Sequence, residues 1–260
     1  MTDDNAQIQN ALNALQSINP YERFAAVETL ARYNVQSALE KIIDATADPH
    51  QAVREGALWA LGDMPHPDAL PTLRAIALNA DEDVTIRCAA IYGIGRIGDA
   101  SLLEPLLALC ETASNSAVRG AALRAVIRYG AGALDTLVAI LADADGETTL
   151  RRVIAAHLMG ALRLPEAIPA LENAARDEAL RVSWTAVWSL GEIADARTTD
   201  FLIDLLDDEA KLARIIVWAL ENIGTPDARR TARYWRKDNN APRGKNNPHL
   251  PPGPPRTTND

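Results

Sequence analysis

Seven residues recur along the chain at nearly constant spacing, and their types suit the binding of a ligand or partner. We call them the variable column: Glu28, Trp59, Tyr92, Arg124, His157, Trp188 and Trp218. Aromatic rings stack on flat apolar groups, and arginine binds carboxylates through a planar fork. Exposed aromatic residues and arginine are also enriched at the centres of protein interfaces. The column therefore predicts a binding surface if the fold places these side chains on one side.

The spacing arises from a repeated phrase of ten residues. VREGALWALG, residues 53–62, returns as IRCAAIYGIG from Ile86, VSWTAVWSLG from Val182 and LARIIVWALE from Leu212. The second residue of successive copies is Arg23, Arg54, Arg87, Arg119, Arg152, Ser183 and Ala213, at intervals of 31, 33, 32, 33, 31 and 30 residues. A second helical pattern, such as SLLEPLLALCETA from Ser101, separates the phrases. Such a period predicts stacked pairs of helices, since one pair cannot bury its apolar face alone.

Helical geometry divides each phrase into a buried and an exposed side. With the arginine as position zero, the apolar positions −1, +3, +6, +7 and +10 fall between about 240° and 340°. Positions +1, +5 and +9 fall near 100°, 140° and 180°, and we expect them to be exposed. They supply the candidate binding residues Trp59, Cys88, Tyr92, Arg96, Arg124, Arg128, His157, Trp184, Trp188 and Trp218. The alternative is that each aromatic ring packs against the next repeat and stabilises the stack.

Several features of the repeat resemble HEAT repeats, and more narrowly the HEAT-like repeats of phycobilisome lyases. These features are an internal proline in the first helix (Pro71, Pro105, Pro169), an aspartate six residues before the arginine (Asp48, Asp81), and the phrase itself. The resemblance covers residues 19–224. It implies an all-α, right-handed α-solenoid of about seven helix pairs, with the second helix of each pair on the concave surface.

The organisation of the chain follows from the extent of the repeats. Residues 1–18 have Ile8, Leu12 and Leu15 on one helical face and are predicted to form an N-terminal capping helix. Residues 19–238 form the predicted solenoid. Residues 239–260 are rich in proline and lack a core-forming pattern, so we expect a disordered tail.

The recurring arginines are predicted to form a structural ladder. Arg54, Arg87, Arg119 and Arg152 occupy one position in successive repeats, and an aspartate six residues earlier is placed to bond across the turn. The planar guanidinium suits repeated contacts with carboxylates and carbonyls. Anion binding is the alternative role.

Charge and composition exclude several classes of function. The net charge is −9, but residues 226–260 carry eight Lys or Arg against three Asp or Glu, a balance of +5 that leaves −14 for residues 1–225. Nucleic-acid affinity comes mainly from basic groups, so we expect no nucleic-acid partner. Two cysteines and the lack of an apolar run of eighteen residues predict a cytoplasmic protein without a membrane span.

Metal and redox chemistry have no support in the sequence. The four histidines lie far apart, and no His-Glu dipeptide is present, which argues against the iron site that a resemblance to deoxyhypusine hydroxylase would imply. Two cysteines are too few for the iron–sulfur centres of an epoxyqueuosine reductase. We therefore expect no metal.

Three functions remain open. The first is a non-catalytic scaffold or assembly factor that grips a protein partner of unknown identity with its aromatic and arginine strip, and that needs no cofactor. The second, implied by the resemblance, is a subunit of an E/F-type phycobilin lyase or a bilin chaperone, paired with a second HEAT-like subunit. Aromatic rings would then stack on the bilin, Arg96, Arg124 or Arg128 would bind its propionates, and His157 would transfer protons. The third is an immunity protein that covers a basic toxin. Enzymatic activity is expected only for the second.

Overall fold

The computed structural model describes residues 3–239, and the rest of the predicted tail lies outside the described residues. Fifteen α-helices and short 3-10 turns make up this part of the chain, with no β-strand between residues 3 and 239. The predicted all-α class and the repeated helix pairs are confirmed. No single helix within residues 3–239 is long and apolar enough to cross a membrane; the helices on either side of Tyr129 meet that test of length and composition only when combined.

The chain divides into two compact units after Tyr129. The helices of the first unit are α1 (Asp3–Ala14), α2 (Pro20–Arg32), α3 (Leu39–Ala45), α4 (Gln51–Asp63), α5 (Leu70–Leu78), α6 (Val84–Ile97), α7 (Leu103–Thr112) and α8 (Ser116–Arg128). Those of the second are α9 (Leu134–Ala142), α10 (Thr149–Leu162), α11 (Ile168–Ala174), α12 (Leu180–Ile193), α13 (Thr199–Asp208), α14 (Ala213–Ile223) and α15 (Pro226–Asp238).

The even-numbered helices from α2 to α14 carry the repeated phrase, and we call them the second helices. In the first unit α2, α4, α6 and α8 pack side by side, and in the second unit α10, α12 and α14 do the same. Each also packs on the odd-numbered helix that precedes it, including α1 against α2. A second helix inside a unit therefore has neighbours on three sides.

Local sequence signals set the limits of the second helices. The Asn19 side chain accepts a hydrogen bond from the Tyr21 amide, and Pro20 occupies the first turn of α2, where its missing N–H costs nothing. The Asp83 side chain caps α6 in the same way. Gly98 and Gly224 end α6 and α14 in the left-handed conformation, with φ of 72° and 71°.

The buried side of a second helix is wider than the sequence predicts. In α4 the predicted core residues Val53, Ala57 and Leu61 are buried, but Leu58 and Gly62 outside the predicted arc are buried as well. An amphipathic helix at the surface has one buried side, whereas α4 is covered by three helices: α2, α3 and α6. Only a narrow strip of each second helix stays open.

Glycines inside the second helices set the distance between them. Gly62, Gly95 and Gly191 are all buried inside helices, where they leave room for a neighbouring helix. A Cβ at Gly95 would lie 2.8 Å from the Cα of Ala125 in α8, so only glycine permits this approach.

The recurring arginines bond to the turn that leads into their own helix. Nη1 of Arg54 donates to the carbonyls of Asp48 and Pro49, and Nη1 of Arg119 donates to those of Ala113 and Ser114. The two buried members use other carbonyls: Nε of Arg87 donates to Ala77, and Nε of Arg152 donates to Leu141. The bonds of Arg87 and Arg152 satisfy orphan carbonyls in the last turns of α5 and α9.

Two of the aspartates join neighbouring repeats. Asp48 accepts a bidentate pair from Arg23, at 2.6 Å from Nε and 2.8 Å from Nη2, and Asp177 pairs with the buried Arg152. The partner is thus the arginine of the previous repeat. The Asp81 carboxylate, predicted in the same role, bonds to no arginine in the part of the chain that the structure describes.

The contact at Gly95 predicts a large effect of a small substitution. We expect Gly95→Ala to lower the free energy of unfolding by about 1–3 kcal/mol, because the new methyl group meets backbone that cannot move aside. Urea denaturation measures the change. Gly132→Ala is the control, since no atom lies within 4 Å of its added Cβ. Equal stability of the two variants would contradict the close approach.

The Arg23–Asp48 pair predicts a pH-dependent contribution to stability. The hydrogen bond from Arg23 lowers the pKa of Asp48 in the folded chain. The pair therefore stabilises the fold above the unfolded-state pKa of about 3.9 and loses this contribution as the pH falls through the folded-state value. Asp48→Asn should melt below the wild type at pH 7, and the difference should vanish in strong acid. Asp81→Asn, which breaks no bond to arginine, should show little difference at either pH.

Candidate functional site

The first unit brings several predicted residues together around Tyr92. We call Trp59, Asp63, Tyr92, Arg96 and Arg128 the Tyr92 cluster. The Tyr92 hydroxyl donates to Oδ1 of Asp63 at 3.0 Å, and the rings of Trp59 and Tyr92 lie 4.6 Å apart between centroids. The guanidinium carbon of Arg128 lies 5.2 Å above the Tyr92 ring, within the range of a cation–π interaction. Three successive second helices, α4, α6 and α8, thus contribute to one cluster.

Gly62 makes this arrangement possible. A Cβ at position 62 would overlap the Tyr92 ring, so the ring lies directly on the backbone of α4. The Gly62 carbonyl accepts a hydrogen bond of 3.1 Å from Nε of Arg96. One glycine therefore positions both the aromatic ring and one of the predicted arginines.

Cys88 on α6 and Arg124 on α8 lie on helices that also contribute to the Tyr92 cluster. Cys88 is half-buried, and burial raises the pKa of its thiol, while the charge of Arg124 acts in the opposite direction. Arg124 itself is exposed. The raised pKa keeps Cys88 protonated at neutral pH, which does not favour a nucleophilic role.

The second unit holds a stack of three rings, His157, Trp188 and Trp218, which we call the aromatic stack. The centroids of His157 and Trp188 lie 5.2 Å apart with 26° between the ring planes, and those of Trp188 and Trp218 lie 6.3 Å apart with 5°. A Cβ at Gly191 would lie 2.5 Å from Cζ3 of Trp218, so glycine again makes room for the ring of the next repeat. The rings are half-buried.

His157 is electrostatically distinct within the aromatic stack. Burial lowers the pKa of its imidazole, and the charge of Glu192 opposes the shift. Nδ1 of His157 is buried and has no hydrogen-bond partner among residues 3–239. The ring is therefore neutral at neutral pH and retains an unused nitrogen.

The exposure predicted for the three columns holds only in part. Trp59 is 42% exposed, and Arg96, Arg124 and Arg128 are exposed. Gly120 and Val153 at position +1 are buried, contrary to the prediction. α8 packs on α6 and α7, and α10 packs on α9 and α12, so these positions are covered by neighbours that a single helix lacks. Trp184, also at +1, is half-buried on α12.

A cleft that the sequence did not predict lies on α2 and α4. It has a volume of about 680 Å³ and is lined by Phe24, Glu28, Ala31, Arg32, Ala52, Glu55, Gly56, Trp59, Ala60 and Asp63. We call it the acidic cleft, because three carboxylates face one arginine. Its polar and aromatic residues belong to the same three columns as the candidates, so the columns contained the signal. What they could not show was that α2 and α4 leave space between them.

No group of three or more metal-ligating side chains is found within residues 3–239. The described residues offer aromatic rings for stacking, exposed arginines that can bind anions, and a neutral imidazole at His157.

Comparison with known sequences identifies the repeat. The profile of HEAT repeats matches residues 8–85, 75–156 and 134–221, which together span most of the chain. The match includes every second helix from α2 to α12 and nearly all of α14.

Two individual relatives match part of the chain. The chain is 29% identical over 182 residues to the uncharacterized phycocyanin operon protein Z of Pseudanabaena tenuis, covering 66% of this chain and 87% of that protein. It is 32% identical over 111 residues to the bilin biosynthesis protein PecE of a Nostoc species, covering 40% of this chain and 44% of the relative. The match thus spans less than half the length of PecE.

Among solved structures, one similar fold is the complex of CpcE and CpcF of phycocyanin lyase from Nostoc. The sequences are 20% identical, with 88% of this chain and 94% of the other covered and a TM-score of 0.42.

The aromatic stack predicts the titration of His157. Trp188→Ala should raise the pKa of His157 towards the ordinary value of about 6.5, because removal of the indole admits water to the imidazole. Titration of the imidazole signals by NMR measures the pKa. Trp59→Ala, in the other unit, should leave it unchanged. An unaltered pKa in folded Trp188→Ala would mean that Trp188 does not shield the ring.

Proposed function

The chain belongs to the HEAT-repeat family, and we propose that it is a bilin-handling protein, acting as a subunit of an E/F-type phycobilin lyase or as a bilin chaperone. The observation that carries the proposal is its 32% identity to a bilin biosynthesis protein. The resemblance to a phycocyanin operon protein over 66% of the chain adds support. The geometry of the site gives a further line of support.

The Tyr92 cluster fits the chemistry of a bilin. A linear tetrapyrrole offers flat conjugated rings and two propionate groups. The exposed indole of Trp59 provides a flat apolar surface for such rings. Arg124 and Arg128 are exposed on α8, where each is free to bind a carboxylate through its guanidinium fork. We therefore assign the Tyr92 cluster together with Arg124 as the bilin site.

Each residue of the site has a separate task in this proposal. Arg124 and Arg128 hold the propionates, and Arg128 keeps its place over the Tyr92 ring. The hydrogen bond from Tyr92 to Asp63 fixes the phenol, and Arg96 is held by the Gly62 carbonyl. The pigment supplies the reactive carbon, and the chain supplies orientation and charge.

His157 is the residue suited to proton transfer. Its lowered pKa keeps the imidazole in the neutral form, which can accept a proton but is a weaker base than an exposed histidine. It lies in the second unit, and its role in bilin chemistry is proposed separately from binding at the Tyr92 cluster.

The bilin hypothesis is favoured over the hypothesis of a non-catalytic scaffold. The scaffold hypothesis relied on the aromatic and arginine strip, and the same residues suit a pigment that the relatives' names mention. A protein partner remains part of the proposal, since a lyase subunit must meet both a second HEAT-like subunit and the protein that receives the pigment. Nothing in the described residues favours an immunity protein.

Substitution of the two arginines tests the proposal. Mixing the protein with a phycobilin should shift and sharpen the absorbance of the pigment, because a bound bilin is held in one conformation. Arg124→Gln combined with Arg128→Gln should weaken binding about tenfold through loss of two charge-assisted contacts. Arg74→Gln, an exposed arginine of α5, is the matched control.

Two outcomes would contradict the proposal. One is an unchanged bilin spectrum with the wild type, both alone and with a companion HEAT-like subunit. The other is equal binding by the double variant and the Arg74→Gln control, which would remove the Tyr92 cluster from the site.

A further inference from the structure

The acidic cleft adjoins the Tyr92 cluster and shares Trp59 and Asp63 with it, but most of the charges in its lining are negative. Glu28, Glu55 and Asp63 place three carboxylates in its lining, against the single cation of Arg32. A bilin with its two propionates is repelled by such a lining. A ligand of this cleft should therefore carry a positive charge.

The carboxylates of the cleft have unused capacity for a cation. Glu55 accepts a bond of 3.5 Å from the Trp59 indole N–H, and Asp63 accepts one from the Tyr92 hydroxyl. Both donors are neutral. No ion pair joins Glu28, Glu55 or Asp63 to a basic side chain within residues 3–239. Each carboxylate keeps acceptor sites that a cationic donor would fill.

Aromatic rings line the same cleft. The indole of Trp59 is 42% exposed, and Phe24 lies against the backbone of α4, where a Cβ at Gly56 would come within 2.7 Å of its ring. A flat cation stacks on such rings while its N–H groups reach the carboxylates. Guanidinium meets both demands, since it is planar, weakly hydrated and forked, whereas ammonium is compact and strongly hydrated.

We propose that the acidic cleft binds an arginine side chain of a protein partner, stacked on Trp59 and bonded to Glu28 and Glu55. A volume of about 680 Å³ exceeds the need of one side chain and leaves room for the peptide that carries it. This inference goes beyond the proposed bilin function and does not depend on it. It identifies the partner by an exposed arginine in a short accessible segment.

A capped tripeptide, acetyl-Gly-Arg-Gly-amide, tests the site by NMR. The chain has five tryptophans, and the indole N–H of Trp59 points to Glu55, so it reports directly on ligands at that carboxylate. Trp59→Phe assigns its signal. We expect the peptide to shift the Trp59 signal alone, and the citrulline analogue, equal in shape but uncharged, to leave it in place.

Variants and analogues decide between the sources of a signal. Glu28→Gln combined with Glu55→Gln should weaken the arginine peptide about tenfold, whereas Glu40→Gln combined with Glu178→Gln, the same charge change outside the cleft, should not. Equal shifts from the arginine and citrulline peptides, or none from either, would overturn the proposal. A lysine peptide that binds as tightly as the arginine peptide would overturn the assignment of a guanidinium ligand. Tighter binding of free arginine than of the peptide would overturn the assignment of a protein as the partner.

Discussion

The close approach of neighbouring second helices is the constraint on which the other features depend. At Gly95 the backbone of α6 meets that of α8, with room for no side chain between them. In the second unit Gly160 meets Ser189, whose hydroxyl also donates to the Ala156 carbonyl at 2.8 Å. Such contacts replace side-chain packing by backbone contact, so small residues decide how tightly the repeats stack.

The same contacts determine where large side chains can stand. A ring at position +5 lies over the glycine of the previous repeat, as Tyr92 does over Gly62 and Trp218 over Gly191. One face of the ring is then buried and stabilises the stack, while the ring edge and its neighbours face the open strip. Packing and binding are therefore not alternatives for these aromatics, because one side chain has a surface for each.

The period of the sequence predicted the fold because stacking requires the same apolar positions in every repeat. Val53, Ala57 and Leu61 are buried as the helical arc requires. The burial of Leu58 was not predicted because the periodicity of one helix does not include the helices that flank it. The same limit explains the partner of Asp48: the arginine nearest in sequence is six residues away, whereas Arg23, 25 residues away, lies in the stacked neighbour.

The types of residue in the candidate site could be predicted from the sequence, but not which of these residues contact each other. The columns identified Trp59, Tyr92 and Arg128, and helical periodicity placed them on one strip. Their contacts cross between repeats over distances of about thirty residues, so they depend on the stagger between helices, which no single phrase encodes. The acidic cleft could not be predicted for the same reason, because it is a space between α2 and α4 and not a property of either helix.

Charge explains how one strip of the first unit can hold two ligands of opposite sign. Residues 1–225 carry −14, which repels a long polyanion at any point of contact. A small ligand experiences only the charges within a Debye length of about 8 Å at physiological ionic strength. Arg124 and Arg128 on α8 can therefore attract carboxylates, although Glu28 and Glu55 on α2 and α4 attract cations. Trp59 belongs to both surfaces. Its neighbour Glu55 contributes a carboxylate, and its neighbour Tyr92 contributes an aromatic ring. The repeat makes this separation possible, because each second helix adds one open position whose identity can change without altering the stack.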